Sequence, residues 1–305
     1  MQPDDDFNPP AGVPETLAPG LRRVLAPNPS PMTWRGTNTY LVGAGEDIAV
    51  IDPGPEDPAH MAAILGALTR GQRISHILVT HAHLDHSPLA RPLSQETGAP
   101  TLAYGSAWAG RSAVMTQLAK AGLSEGGEGV DITFAPDQAL PDGARVAGDG
   151  WQLEALWTPG HFGNHMSFAW GDAVFTGDLV MGWASSLISP PDGDLTDFMA
   201  SCRMLRARGA RVFHPGHGAP VTRPKERLDW LIAHREARTD AILATLADGP
   251  ADASALARRI YTDTPAALMP AAARNVFAHL IDLEGKHQVR AIGGRASHAQ
   301  FERLH

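Results

Sequence analysis

The sequence predicts an α/β fold of two similar halves followed by a small winged-helix unit. Three observations carry this reading. Short strands alternate with helices up to about residue 222. The charge balance then changes sign. The remaining chain runs helix, helix, helix, hairpin, the order of a winged helix-turn-helix module.

The 305 residues are 43% hydrophobic and 19% charged, enough to bury a sizeable core and unlike a disordered chain. No stretch reaches the eighteen or so apolar residues of a membrane span. The acidic start Met-Gln-Pro-Asp-Asp-Asp lacks the basic and apolar regions of a secretory signal, so a cytoplasmic protein without a membrane partner is expected. One cysteine, Cys202, rules out an intrachain disulfide and a cysteine-rich zinc module. Residues 1–222 hold 13 Lys/Arg against 23 Asp/Glu, a balance of −10. Residues 223–305 hold 12 against 10, a balance of +2. The net −8 argues against a chain-wide nucleic-acid surface. The asymmetry predicts a loose arm over 1–20, one unit over 21–222 and a second over 223–305, divided at the Pro-rich run 219–224.

Leu21–Leu25, Thr39–Val42 and Asp47–Ile51 read as strands, the last two joined by a Gly-Ala-Gly-Glu turn. Pro58–Thr69 carries Met61, Ile64, Leu65 and Leu68 at helical spacing. Ile74–Val79 is a buried-type strand that runs into Thr80-His81-Ala82-His83-Leu84-Asp85-His86. A helix over Leu89–Glu96 and a strand over Thr101–Tyr104 follow, and 105–129 gives no clear periodicity. Trp151–Trp157 is a strand that ends at Thr-Pro-Gly-His161. Met166–Trp170 and Ala173–Thr176 flank the hairpin signal Gly171-Asp172, and the second ends at Gly177-Asp178. Asp197–Arg208 is helical, and Arg211–Phe213 is a strand ending in His-Pro-Gly-His217-Gly. Helices are predicted from Lys225 to about Ala247, over Ala253–Ile260 and over Ala271–Leu283, then two strands around Gly293-Gly294.

Fourteen histidines is the unusual count. Four strand ends carry ligand types: His81/His83/Asp85/His86, His161, Asp178 and His217. Imidazole with carboxylate suits zinc, iron or manganese. One ion could not comfortably take all four side chains of so short a loop as 81–86. Two ions are therefore the natural reading, with His81 and His83 facing one and Asp85 and His86 the other.

Over residues 20–222 these motifs resemble the metallo-β-lactamase-fold hydrolases: Thr80–His86 matches the signature, and Thr-Pro-Gly-His161, Thr-Gly-Asp178 and Pro-Gly-His217-Gly follow in order. The resemblance implies an αββα sandwich. It also implies that His81, His83 and His161 hold a first metal, that Asp85, His86 and His217 hold a second, and that Asp178 bridges them. A hydroxide between two divalent ions, most simply zinc with iron or manganese as alternatives, would be the nucleophile. Charges of +4, −2 and −1 leave about +1, which lowers a bound water's pKa from 15.7 toward about 7. True metallo-β-lactamases usually lack such a bridge, and several place a cysteine at the second metal. Cys202 lies on a predicted helix away from every motif, so the site looks more like the glyoxalase II, lactonase and metallo-nuclease branches.

Pro29–Tyr40, Ser189–Gly193 and His279–Gly285, with the order of the two units, further resemble the β-lactamase-like protein 2 family. Some of its members are reported as single-strand RNA endonucleases, and many bacterial relatives are uncharacterised hydrolases. That family also has a histidine at the position of His165, implying a catalytic role as substrate contact or proton donor, against a hydrogen-bonded loop histidine. Asp52, after the strand Asp47–Ile51, is expected to orient a metal-binding histidine. His214 competes weakly with His217 as a ligand. Trp183, Ser185 and Ser186 are candidates for the substrate cleft, and Arg35 for contact with an anionic substrate. The helix Ala271–Leu283 offers only Arg274, Asn275 and His279 against Asp282 and Glu284. The winged helix is thus expected to pack or gate rather than bind nucleic acid, with Arg258, Arg259, Arg290 and Arg295 as the residues that would say otherwise.

The expected function is hydrolysis of a small-molecule ester, thioester or lactone. Cleavage of single-stranded RNA is the alternative, and a DNA-binding regulator with a vestigial site is a third reading.

Overall fold

The computed structural model of the chain describes residues 6–123 and 129–304. Two sheets lie face to face. The first runs β1 (Glu15–Ala18), β2 (Leu21–Leu25), β3 (Asn38–Val42), β4 (Asp47–Ile51), β5 (Arg73–Leu78), β6 (Thr101–Ala103) and β7 (Gln138–Ala139) in spatial order. In the second, β8 (Arg145–Gly148), β9 (Trp151–Trp157), β10 (Met166–Trp170), β11 (Ala173–Gly177) and β12 (Val212–Pro215) are ordered 12-11-10-9-8. Both begin or end in antiparallel meanders and switch to parallel pairing at β4–β5–β6–β7 and β11–β12. The parallel switch sends their ends, and the loops that follow, to one edge of the sandwich, where scaffolds gather functional side chains.

The inner layer between the sheets is apolar: Tyr40, Val42, Ile51 and Leu78 meet Leu153, Phe168 and Phe175. β4 reads as a nearly continuous apolar run because both its faces are covered. The outer face of β4 and β5 takes α1 (Pro58–Gly66) and α2 (Ala90–Thr97), which contribute Ile64, Ala90 and Leu93. The second sheet's outer face takes α4 (Leu195–Arg208), with Phe198, Cys202 and Leu205, and the first half of α5 (Pro224–Thr245), with Leu228 and Leu231. The result is the expected αββα sandwich. Helix starts are fixed by caps: Asp57 accepts from Ala59 N and His60 N, and Asp194 accepts from Thr196 N. The left-handed Gly209 ends α4.

The second half of α5, α6 (Ala253–Ile260), α7 (Met269–Gly285) and the hairpin β13 (Val289–Ile292)–β14 (Gln300–Arg303) form the C-terminal winged helix around Ile242, Leu256, Val276, Leu280 and Phe301. Met115 and Leu118 of α3 (Ala113–Lys120) join this same core, so a helix of the first unit packs with the second.

Several expectations are corrected. Residues 15–18, expected in a loose arm, form β1 and pair with β2, where Glu15 meets Arg23. A clean division at residue 222 does not describe α5, one continuous helix whose two halves serve two cores. The stretch 105–129 contains α3, and 124–128 lies outside the described residues. β7 and β8 are additions, too short or too polar to show a period of two.

His60 on α1 shows how tightly this edge is built. It is 1% exposed, its Nε2 meets Thr39 Oγ1 at 2.9 Å, and burial pushes it down to about 4 against the opposing pull of Asp57. The unfolded chain binds that proton near pH 6.5 and the folded chain does not. The contribution of His60 is therefore full above pH 6.5 and lost as pH falls toward 4. The loss should be on the order of 3 kcal/mol. Urea melts at pH 7 and pH 4.5 check it: His60→Gln should show a clearly smaller loss between the two than the parent chain.

Candidate metal centre

The loop after β5 carries four of the seven candidate side chains, and β9, β11 and β12 deliver His161, Asp178 and His217 to the same edge. The structure gathers all seven into two groups. His81, His83 and His161 are all buried and form the first; Asp85, His86, Asp178 and His217 form the second. Within each, the candidate donor atoms lie within 4.8 Å of one another.

In the first group His83 Nδ1 stands 2.9 Å from His81 Nε2 and 3.1 Å from His161 Nε2. In the second, His86 Nε2 and His217 Nε2 are 3.3 Å apart. Asp85 Oδ2 lies 3.3 Å from the former and 3.1 Å from the latter. Asp178 reaches both groups, with Oδ2 3.2 Å from His217 Nε2 and 3.9 Å from His161 Nε2. Its Oδ1 is buried without a hydrogen-bond partner.

Four imidazoles are turned by acceptors behind them. His86 Nδ1 meets Asp52 Oδ2 at 2.9 Å, His161 Nδ1 meets Leu187 O at 2.7 Å, and His217 Nδ1 meets Gly36 O at 3.1 Å. Thr80 Oγ1 lies 2.8 Å from Asp52 Oδ2, to which it donates, and 3.0 Å from His81 Nδ1. Each contact puts a proton on Nδ1 and aims Nε2 at the cluster, the orientation a metal-binding imidazole requires. Asp52 thus does what the sequence suggested. It also accepts from Thr80 N at 2.7 Å, and it holds a left-handed φ of 52° to do so.

The electrostatics of the second group call for positive charge. Burial alone would lower His86 and His217, yet Asp85 and Asp178 outweigh it. They hold His86 well above the ordinary range and His217 at about 10. Burial would likewise raise the two carboxyls, but the imidazoles hold both well below the usual carboxylate range. In the first group, burial and then neighbouring imidazoles push His81 well down and His83 to about 3, keeping both rings neutral. Oriented lone pairs, two carboxylates and an unpartnered buried oxygen fit divalent cations with nitrogen and oxygen ligands.

Two close approaches limit what these positions tolerate. A Cβ on Gly216 would stand 2.3 Å from Asp178 Oδ1 and 2.7 Å from His86 Cε1. Gly216→Ala should therefore displace the second group while leaving the distant C-terminal core intact. The metal-to-protein ratio of the purified variant, measured by mass spectrometry, should fall below that of the parent chain.

His165 departs from its expected role. It is fully buried; Nε2 accepts from the Asp178 backbone N–H at 3.2 Å, and Nδ1 meets Thr158 Oγ1 at 3.0 Å. Burial keeps it neutral. Both nitrogens are occupied, the arrangement of the hydrogen-bonded loop histidine, and Nε2 holds the Asp178 backbone. His214 packs against Phe175 at 5.3 Å and Tyr40 at 5.6 Å, outside both groups. Arg35 is exposed over the Trp34 ring.

His161 and Asp178 open onto a cavity of about 240 Å³ between the two units. One side is Met32, Met181 and Trp183, joined by Ser185; the other is Tyr261, Leu268 and the start of α7. Ser186 is buried and donates to Leu179 O instead. The wall from the C-terminal unit escaped sequence reasoning, as did the carbonyls of Gly36 and Leu187. A backbone acceptor leaves no mark on residue type.

The chain belongs to the metallo-beta-lactamase superfamily, whose family model matches residues 32–217. It is a hydrolase of that superfamily with side chains able to hold two metal ions. A beta-lactamase associated winged helix domain matches residues 253–296. More particularly, the chain is 30% identical over 283 residues to a beta-lactamase-like protein 2 homolog of Drosophila melanogaster, covering 90% of this chain and 91% of that one. It is also 30% identical to an atrochrysone carboxyl ACP thioesterase of Aspergillus fumigatus, over 76% of this chain and 66% of that protein. A crystal structure of a metallo-beta-lactamase family protein from Thermus thermophilus matches 95% of this chain and 100% of its own, with 26% identity and a TM-score of 0.75.

Proposed function

We propose that the chain hydrolyses a small-molecule thioester, ester or lactone with two divalent ions, zinc in the first place. His81, His83 and His161 hold one ion, Asp85, His86 and His217 the other, and Asp178 is shared. The observation that carries the substrate class is the cavity, which sets apolar walls directly against His161 and Asp178. Met32, Met181, Leu187 and Leu268 exclude water and receive an acyl chain. Among the described residues no Lys or Arg lines this cavity, although a phosphodiester backbone calls for cations. When bound, the ions would lower the pKa of a water and offset charge growing on a carbonyl oxygen. The chain's own residues set the geometry: Asp52, Thr80, Gly36 and Leu187 fix the imidazoles, and His165 fixes Asp178. A relative named as an ACP thioesterase supports the thioester choice.

The C-terminal unit serves this reading as a wall. The face of α7 from Val276 to Leu283 is buried and its start lines the cavity, so it cannot enter a DNA groove as a recognition helix does. Arg290 pairs with Glu302 and Arg295 with Glu284, leaving Arg258 and Arg259 exposed on α6. A single buried thiol suits a reducing cytoplasm.

Zinc- or manganese-loaded protein should turn over acyl thioesters and leave unstructured RNA intact. RNA cleavage abolished by Asp178→Ala, with no thioester turnover, would establish the nuclease reading instead.

A further inference from the structure

The segment Ser186–Leu187–Ile188 runs along the back of the His161 imidazole. Its middle residue supplies the Leu187 carbonyl that accepts from His161 Nδ1 at 2.7 Å. Both flanking residues are held from the C-terminal half of the chain. Arg235 of α5 donates through Nη2 to Ser186 O. Asn275 of α7 accepts the Ile188 N–H on Oδ1 at 3.0 Å, and Arg235 Nη1 donates to that same oxygen at 3.1 Å.

Arg235 is 2% exposed, and among the described residues no carboxylate pairs with it. Its guanidinium lies over the Phe198 ring at 5.3 Å, and its Nε has no partner. Burying a guanidinium without an acid is unfavourable. What the arrangement yields is a rigid fork set on one carbonyl and one amide oxygen. Asn275 also lines the cavity beside His161.

We infer that Arg235 and Asn275 are positioning residues for His161: they clamp residues 186–188 so that the Leu187 carbonyl turns the His161 lone pair toward the first metal group. This rests on the reading of His161 as a metal ligand. The winged helix thereby becomes part of the first metal site without touching a metal. Outer partners of ligating imidazoles are worth about 10- to 100-fold in metal affinity.

The test is zinc binding by the full chain in competition with a chromophoric chelator, resolving two successive steps. His161→Ala identifies the step that belongs to the first group. Asn275→Leu and Arg235→Met should each weaken that step about 10- to 100-fold and leave the other unchanged. Asn275→Asp, which keeps the acceptor, should stay within about threefold of the parent. A brace that serves only to join the two units would lower the melting temperature and move both steps together, or neither; either result overturns the proposal. Should Arg235→Met fail to fold, the Asn275 pair decides alone. If His161→Ala leaves both steps intact, the metal reading of His161 is wrong and the positioning role falls with it.

Discussion

Asp178→Ala is expected to lower kcat/KM for the best thioester or ester substrate at least about a thousandfold, about 4 kcal/mol of lost transition-state stabilisation. The size follows from its place. Among the described residues, Asp178 is the carboxylate whose Oδ2 reaches toward both groups, 3.2 Å from His217 and 3.9 Å from His161. Alanine would remove the negative charge opposite His86 and His217 and empty the space that Gly216 leaves for Oδ1. Asp178→Asn keeps the shape and removes the charge, so it separates the two contributions. If the charge matters most, asparagine should fall nearly as far as alanine. Steady-state kinetics with metal content measured on the same samples provide the check. A variant that keeps both ions and loses less than tenfold would contradict a shared role.

Removing the ions with a strong chelator should abolish hydrolysis, and adding back zinc should restore it. Stability should follow. A ligand that binds the folded chain alone at a free concentration a thousand times its dissociation constant contributes about 4 kcal/mol. For a protein of this size that corresponds to a fall of about 6 °C in the melting temperature on stripping. The source of the effect is visible in the second group, where buried Asp178, half-buried Asp85 and two buried imidazoles crowd together. Calorimetry on stripped and reloaded protein measures the difference. Equal melting temperatures with full loss of activity would mean that the cluster is held rigid by its surroundings alone.

The cluster of seven candidate side chains was legible because it is written in side-chain type and placed just after strands. β4, β9 and β10 were legible to the residue, since their apolar runs are bounded by turns. What escaped was chemistry carried by the backbone and by distance. Gly36 and Leu187 act through carbonyls that any residue possesses. His165 resembled an acid in waiting, and only the Asp178 N–H on its Nε2 assigns it to the scaffold. The packing of α5 escaped for a related reason: the proline run before it marks a change of charge, while Leu228 and Leu231 pack into the core of the preceding unit. Tyr261 and Leu268, some eighty residues beyond Asp178 in the chain, reach the cavity through tertiary packing that no local pattern records.

The cavity's composite wall has an evolutionary consequence. Asn275 is bound into the support of His161, but no side-chain hydrogen bond ties Tyr261 or Leu268 to the histidine cluster among the described residues. Tyr261 is held instead by the C-terminal core and the Arg238 guanidinium above its ring. Lineages can enlarge, narrow or repolarise the chamber by altering a short stretch near the carboxyl terminus, while the reactive machinery upstream stays fixed. If the cavity receives the substrate as proposed, preference and chemistry reside on separate parts of one polypeptide.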